Sequence, residues 1–505
     1  MPENIRALVV IFALAVPAFY VARQLAGPVI APREFTTWRN AWFAATAAGF
    51  LSGNIFLYAG MTALICLYAH GARAATPAMF FVLLFVVPMA KVPIGGFGVV
   101  NWLFDLNNAR LLALVLLLPI LFTTKRSGRG NGAYSTPDWL VAGYALLYIA
   151  RQLDAFDIAH IMRAVTVVSL DVLIPYFAFS RAVGSVADLR KVLLAFVVAV
   201  LPLTLIAMFE TVKVWHVYGS IMAAWGDNSM GYLKREGMLR ASASAITPIA
   251  LGYLNMVAIG CLLAIWRPAN LPQKFARLAF AMFAVGLVVT LSRGPWVGAA
   301  VLVLTFLAIG PKAAANLGRF AVAALVGVGV LLVLPIGQQL LDLLPFVGTT
   351  TAEGSVAYRQ RLFDNALIVM ARNPWLGDTN YRAAPEMLEM IQGEGIIDVV
   401  NTYINIALSY GLVGLGLFAG AFASILIGLR RVIKFRAVQD NGVTVTARAL
   451  MATLIAVLAT IATVSSVDTI PYVYWSLAGL CVACIRIAYR ERVAVARGAL
   501  KQIPA

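Results

Sequence analysis

Apolar runs close to bilayer length recur along nearly the whole chain, and that repetition leaves few folds open. They lie at about 5–22, 41–69, 77–93, 107–123, 138–150, 163–180, 190–212, 246–266, 275–291, 295–310, 319–336, 402–429, 446–466 and 470–487. A bilayer core takes roughly 20 helical residues to cross. Backbone in lipid must satisfy its own N–H and C=O groups, so such runs fold as helices. Of 505 residues 62% are apolar and 12% charged, whereas soluble domains sit at about half and a quarter. The sequence predicts an all-α, polytopic integral membrane protein with about fourteen transmembrane helices and one long outward loop containing short helices. The run 41–69 exceeds one crossing; it reads as a tilted helix, or as an interfacial piece followed by a span broken near Gly53-Asn54.

The formal charge is +17, and the basic residues concentrate in short loops. Those holding Lys125, Arg126 and Arg129; Arg181, Arg190 and Lys191; Arg267, Lys274 and Arg277; Arg430, Arg431, Lys434 and Arg436; and Arg486, Arg490, Arg492, Arg497 and Lys501 fall on one face. Lys and Arg stay cytoplasmic in bilayer proteins. Both termini are therefore expected in the cytoplasm, and loops 213–245, 292–294 and 338–400 outside. Arg23, Arg33 and Arg39 land outside under this scheme, against the rule. The run 7–22 has neither a basic leader nor a clean small-residue cleavage site, and reads as an uncleaved first helix.

Several functions are excluded early. No GxxxxGK[ST] or GxGxxG pattern is present, so neither nucleotide-driven transport nor a dinucleotide cofactor fits, and the charge asymmetry serves topology rather than nucleic acid. Cys66, Cys261, Cys481 and Cys484 all lie in apolar runs, and His70, His160 and His216 are far apart. No metal and no cofactor is expected.

Three regions follow: 1–234, N-terminal transmembrane helices; 235–430, a core that includes loop 338–400; and 431–505, C-terminal helices and a cytoplasmic tail. The loop is the polar interruption that most needs a purpose, since long loops are usually functional or disordered. Its helical periodicity, its aromatics and its few Ser and Gly argue for order. Apolar Leu362, Phe363, Ala366, Leu367, Val369 and Met370 recur at three- to four-residue spacing behind Arg359, Asn373-Pro374 ends that helix, and Trp375 suits an interfacial anchor.

Outward arginines are in surplus. Lys234, Arg372 and Arg382 read as solvated or paired with neighbours such as Glu236, Asp364 or Glu386. Arg240 and Arg293 each abut an apolar run, where a guanidinium reaches the head-group level and binds phosphate oxygens bidentately. Arg359 and Arg361 are two apart on a helix and face different ways. Asp171 and Glu210 fall within spans or at their ends, which makes each a functional candidate.

Three segments together resemble the O-antigen ligase / O-antigen polymerase superfamily of bacterial envelope glycosyltransferases. They are Leu239-Arg240-Ala241-Ser242-Ala243; Leu291-Ser292-Arg293-Gly294-Pro295-Trp296; and the stretch from Arg359 through Asn373-Pro374-Trp375-Leu376-Gly377 to Asn401-Thr402-Tyr403 and Gly411-Leu412-Val413-Gly414. The resemblance covers roughly 235–430. It implies a bacterial inner-membrane enzyme with a periplasmic site, acting without metal. The donor would be an undecaprenyl-diphosphate-linked oligosaccharide and the acceptor a glycan or lipid. A chain-length regulator or other polysaccharide assembly proteins would be partners. Arg240 and Arg359 would carry the diphosphate chemistry with Asp398 as base, and Arg293, Arg361, Asn401 and Tyr403 would bind substrate. Family ligases place a His before the Asn that opens the helix after the loop; here Val400 precedes Asn401. Asp398, Glu394 or Asp378 would have to replace it, which moves the expectation toward polymerase-type chemistry. A lipid-linked oligosaccharide flippase or polysaccharide transporter, supported by Asp171, and a non-catalytic assembly subunit are the competing readings.

Overall fold

A computed structural model describes residues 1–69, 76–96, 101–123, 135–153, 158–227, 229–235, 237–333, 351–391, 395–436 and 442–500. In chain order the helices are α1 Glu3–Ala26, α2 Pro32–Leu51, α3 Ile55–Ala69 and α4 Thr76–Leu84. Next come α5, a rod built from Asn108–Leu112, a π turn Ala113–Leu117 and Leu118–Thr123, then α6 Thr136–Ala150 and α7 Ile158–Ala182. There follow α8 Val186–Lys213, α9 Gly219–Ala224, α10 Pro248–Ile265, α11 Gln273–Val289, α12 Arg293–Ala308 and α13 Ala313–Val333. The rest are α14 Thr351–Arg372, α15 Pro385–Leu388, α16 Thr402–Arg436, α17 Gly442–Ile461 and α18 Ile470–Leu500.

Among the described residues seven helices are long and apolar enough to cross a bilayer: α1, α7, α8, α10, α16, α17 and α18. Shorter apolar helices at Ile55–Ala69, Asn108–Phe122, Arg293–Ala308 and Ala313–Gly327 occupy further apolar runs. The centre of the bundle is α8, α10 and α18, which are buried along most of their apolar length, whereas α1 and α16 leave more than half of theirs uncovered. Small residues allow the closest approaches. Gly298 of α12 lies against Thr460 and Met256, and Gly260 of α10 against Thr453, as expected where lipid gives no hydrophobic drive and helices hold by close packing.

The structure is not purely helical. Strands Val92–Gly95 (β1) and Trp102–Leu106 (β2) form one antiparallel hairpin, and Lys234–Arg235 (β3) and Met238–Leu239 (β4) a second. The expected span 77–93 is only the short α4, because Pro88, Pro93, Gly95 and Gly96 cannot continue it. Residues 77–90 are buried by protein on all sides, so this segment need not face lipid alone.

The run 41–69 is broken near Gly53-Asn54, the second of its two expected forms: two helices are separated by Ser52-Gly53-Asn54, and Asn54 caps the second by accepting from Leu57 N at 2.8 Å. That break changes the parity of the chain. Glu3 Oε1 accepts from Trp215 Nε1 at 3.2 Å just past the end of α8, while Glu34 pairs with Lys191 in the first turns of α8 at 3.0 Å. At the far end of α18, Arg486 binds Asp138 and the Ser180 carbonyl. Glu3 and Arg486 therefore lie at opposite ends of the bundle. The extra helix also carries Arg23 and Arg33 to the same end as Lys191, Arg181 and Arg486.

Asp171 sits in a π turn, Ser169–Leu173, inside α7. Arg110 of α5 grips it through two bonds, Nε–Oδ1 at 2.9 Å and Nη2–Oδ2 at 2.7 Å, and Tyr472 of α18 donates to Oδ1 at 2.7 Å. Asp171 lies within one π turn and Arg110 just before another, and such turns open the helical ladder enough to turn a polar group inward. The intramembrane carboxylate is thereby paired across three helices, and the feature that supported a transporter is accounted for.

The segment from α14 to Asn401 is an ordered cap on the bundle. Leu362, Ala366 and Val369 bury one stripe of α14 against Tyr381, Met387, Met390, Val399 and Leu408, while Phe363 and Leu367 on the flank stay about half exposed. The remaining parts of the 338–400 loop, 338–350 and 392–394, including Glu394, lie outside the described residues.

Candidate active site

The turn between α11 and α12 is the centre of the site. Thr290 Oγ1 donates back to the Leu287 carbonyl at 2.7 Å, and Trp296 Nε1 donates to the same carbonyl at 2.6 Å. Leu291 is forced to φ 48°, a left-handed value that a branched side chain rarely adopts. A side chain at Gly294 would meet Thr463 of the loop between α17 and α18.

Three segments converge on this turn. Behind hairpin β3–β4, the Arg240 amide bonds the Leu233 carbonyl at 3.0 Å and the Ala241 amide bonds the Val289 carbonyl at 3.2 Å, fixing the strand beside the end of α11. The Arg240 guanidinium donates to Ser292 Oγ at 2.9 Å and to the Thr290 carbonyl at 3.4 Å, and Arg235 donates to the Leu291 carbonyl at 2.6 Å. Among the described residues no carboxylate pairs with Arg240. Burial, and then the charge of Arg235, push its pKa down to about 10, so it remains cationic at neutral pH but poorly compensated.

From α14 comes Arg359. Burial lowers its pKa, Arg293 lowers it further, and Asp398 opposes the shift. Arg359 is thus within electrostatic reach of both Arg293, the residue after Ser292, and Asp398. Asp398 is fixed from two sides: Oδ1 accepts from Ser465 Oγ at 2.5 Å, and its carbonyl accepts from the Tyr358 hydroxyl at 3.0 Å. Arg240 thus reaches the 290–292 turn by hydrogen bonds, and Arg359 lies within electrostatic reach of Arg293 and Asp398.

The other expected site residues are placed differently. Arg361 is exposed on α14, two positions past Arg359. Asn401 caps α16, its Oδ1 accepting from Tyr403 N at 2.9 Å and Ile404 N at 3.2 Å. The Tyr403 hydroxyl donates to the Leu458 carbonyl at 2.9 Å, tying α16 to α17. Asp378 accepts from Asn380 N within a local turn. Arg372 pairs with Glu386 at the surface, as its neighbourhood suggested.

Two features were not read from the sequence. Pro374-Trp375-Leu376-Gly377 clasps a kink in α16 at Gly411: Leu412 N bonds the Pro374 carbonyl at 2.8 Å, Val413 N that of Trp375 at 3.1 Å, and Asp378 N that of Leu408 at 2.7 Å. Gly377 at φ 64° and Gly411 at φ 63° lie so close that a Cβ on Gly377 would strike the Gly411 and Leu408 backbone, and one on Gly411 the Trp375 and Leu376 backbone. The second is Asp468, at φ 53° in the loop between α17 and α18 that also supplies Ser465. Burial raises its pKa; Lys91 opposes the rise and Asp227 adds to it.

Residues 278–419, from α11 through the clasp into α16, match the O-antigen ligase family, a span that includes Arg293, Arg359 and Asp398 but not Arg240. No curated protein gives a match. The matched segment is less than a third of the chain, yet it is the part that builds the turn, its covering loop and the clasp. By that segment the chain is similar to the O-antigen ligase family.

Proposed function

We propose that this protein is a membrane-embedded glycosyltransferase that moves glycan from an undecaprenyl-diphosphate carrier to an acceptor hydroxyl. The observation that supports the reading is the hold of Arg240 on Thr290 and Ser292, next in sequence to Arg293, with the pKa of Arg359 lowered by burial and then by Arg293, and that of Arg240 by burial and then by Arg235. Assembling like charges is costly and is typical of sites built for an opposite charge. The acceptor oxygen bonds to the anomeric carbon as the bond from that carbon to the diphosphate oxygen breaks. The lipid diphosphate leaves with the electron pair, and the guanidinium groups stabilise the charge that develops there. Asp398 is the carboxylate of the group and accepts the hydroxyl proton.

The orientation follows from charge. Arg23, Arg33, Arg181, Arg190, Lys191, Arg267, Arg430 and Arg486 lie at the end away from the site, and the positive-inside rule assigns that end to the cytoplasm. The site then opens to the periplasm, where the N-terminus also lies. Replacing Arg240 with Ala in cells is expected to stop product while leaving protein level unchanged. Accumulation of single lipid-linked repeats indicates a polymerase, and whole polymers stranded on carrier indicate a ligase. Unchanged glycan output overturns the reading.

A further inference from the structure

Glu210 lies in the last turn of α8, is fully buried, and stands where the helix dipole disfavours a negative charge. Its carboxylate is heavily compensated. Oε1 accepts from Val217 N at 3.0 Å; Oε2 accepts from Ser242 N at 3.1 Å and Ala243 N at 2.9 Å, and His216 Nδ1 lies 3.3 Å from Oε2. Val217 is on the chain leaving α8, and Ser242 and Ala243 are on the chain returning to α10. One side chain therefore pins both arms of the excursion that presents Arg240.

The returning arm needs pinning. Ala243 at φ 46° and Ile246 at φ 67° are both left-handed without being glycine, a conformation that persists only where the surroundings impose it. Three residues before Ala243, Arg240 must reach Ser292 and the Thr290 carbonyl at once.

We infer that Glu210 is a positioning residue for Arg240: its buried carboxylate fixes the register of residues 240–243 so that the guanidinium meets the diphosphate at the 290–293 turn. The inference rests on the proposed function, because it takes Arg240 as the phosphate contact. The carboxylate acts through backbone amides, so shape alone does not replace it. In Glu210→Gln the amide nitrogen is a donor facing donors, which leaves buried N–H groups unsatisfied. Misplacing a binding group by about 1 Å can cost on the order of 100-fold.

The test is binding of farnesyl diphosphate to the detergent-purified full chain, for wild type, Glu210→Gln, Glu210→Asp, Arg240→Lys and Glu210→Gln/Arg240→Lys. Melting and monodispersity of each variant are checked alongside, and any that fails to fold is replaced in the cycle by Glu210→Asp. Glu210→Gln is expected to weaken binding roughly tenfold or more, with Glu210→Asp in between. Once Arg240 is Lys, adding Glu210→Gln should cost no more than about twofold, because coupled residues are not additive. Losses that multiply, or a Glu210→Gln protein that binds like wild type while Arg240→Lys does not, overturn the positioning role. Wild-type binding by Arg240→Lys overturns instead the reading of Arg240 on which it rests.

Discussion

Arg110 and Arg240 both bring a guanidinium into partly buried surroundings, and they meet different company. Arg110 faces Asp171 through two short bonds, with Tyr472 on the same carboxylate, so its charge is spent within the bundle. Arg240 is held by a hydroxyl and a carbonyl, with Arg235 beside it and Arg293 next to the hydroxyl that holds it. A guanidinium matched by a carboxylate locks helices together. One oriented by neutral oxygens keeps its charge for something that arrives later. The contrast separates structural from functional charge in a chain where either kind is expensive.

The sharpest way to break that contrast is to remove one arginine from each place. Arg240→Ala, or Arg359→Ala, is expected to lower glycan product by about 100-fold or more, the usual scale for losing one preorganised donor to a developing anion. Protein level in the membrane should be unchanged. Arg110→Ala should do the reverse. It strands a buried carboxylate, at a cost of about 3–5 kcal/mol, visible as a lower melting temperature and reduced membrane level. Product per folded molecule should stay near wild type. Replacing the pair together, Arg110→Met with Asp171→Leu, should recover most of that stability, as apolar substitutes for buried pairs often do.

Much of this was legible in the sequence, and the reasons differ by residue. Arg240 and Arg293 stand out because each abuts an apolar run, Arg359 because it opens an amphipathic run in the loop, and Asp398 only through the family resemblance, as the carboxylate nearest Asn401. The break inside 41–69 was legible only as one of two alternatives. Residues 41–69 keep their hydrophobicity through Ser52-Gly53-Asn54, so a three-residue break that reverses the chain leaves little trace in hydropathy. Pairings across many residues were invisible for another reason. Nothing local to Asp171 points to Arg110, nor does anything near Glu210 point to Ser242, because the contacts exist only after the helices pack. The clasp of Gly377 on Gly411 is the same case: each glycine has an ordinary local explanation as a turn or a helix break, and only their proximity shows the shared one.

That clasp gives a smaller test of how the arginine turn is covered. Gly411→Ala or Gly377→Ala places a methyl group against backbone at a positive φ, and is expected to destabilise the cap by on the order of 1–3 kcal/mol. Faster proteolysis between residues 351 and 400 would report it, with a partial loss of product because α14 carries Arg359.

The smallest expected effect concerns Asp468. Its pKa in the folded protein is raised above the ordinary value of 3.8, so ionising it costs stability. The favourable contribution of the protonated form is present at low pH and lost as pH rises through the folded value. Asp468→Asn should therefore melt slightly higher than wild type at pH 7, by on the order of 1 °C, and the difference should shrink toward pH 4.

The central claim is that the arginines around residues 290–293 hold a lipid diphosphate, and direct binding tests it best. Purified wild-type protein should bind undecaprenyl diphosphate, Arg110→Ala that is still folded should bind it equally, and Arg240→Ala/Arg359→Ala should bind it at least about tenfold more weakly, in keeping with lost charge-assisted contacts. Equal affinity in the wild type and the double variant would contradict the account.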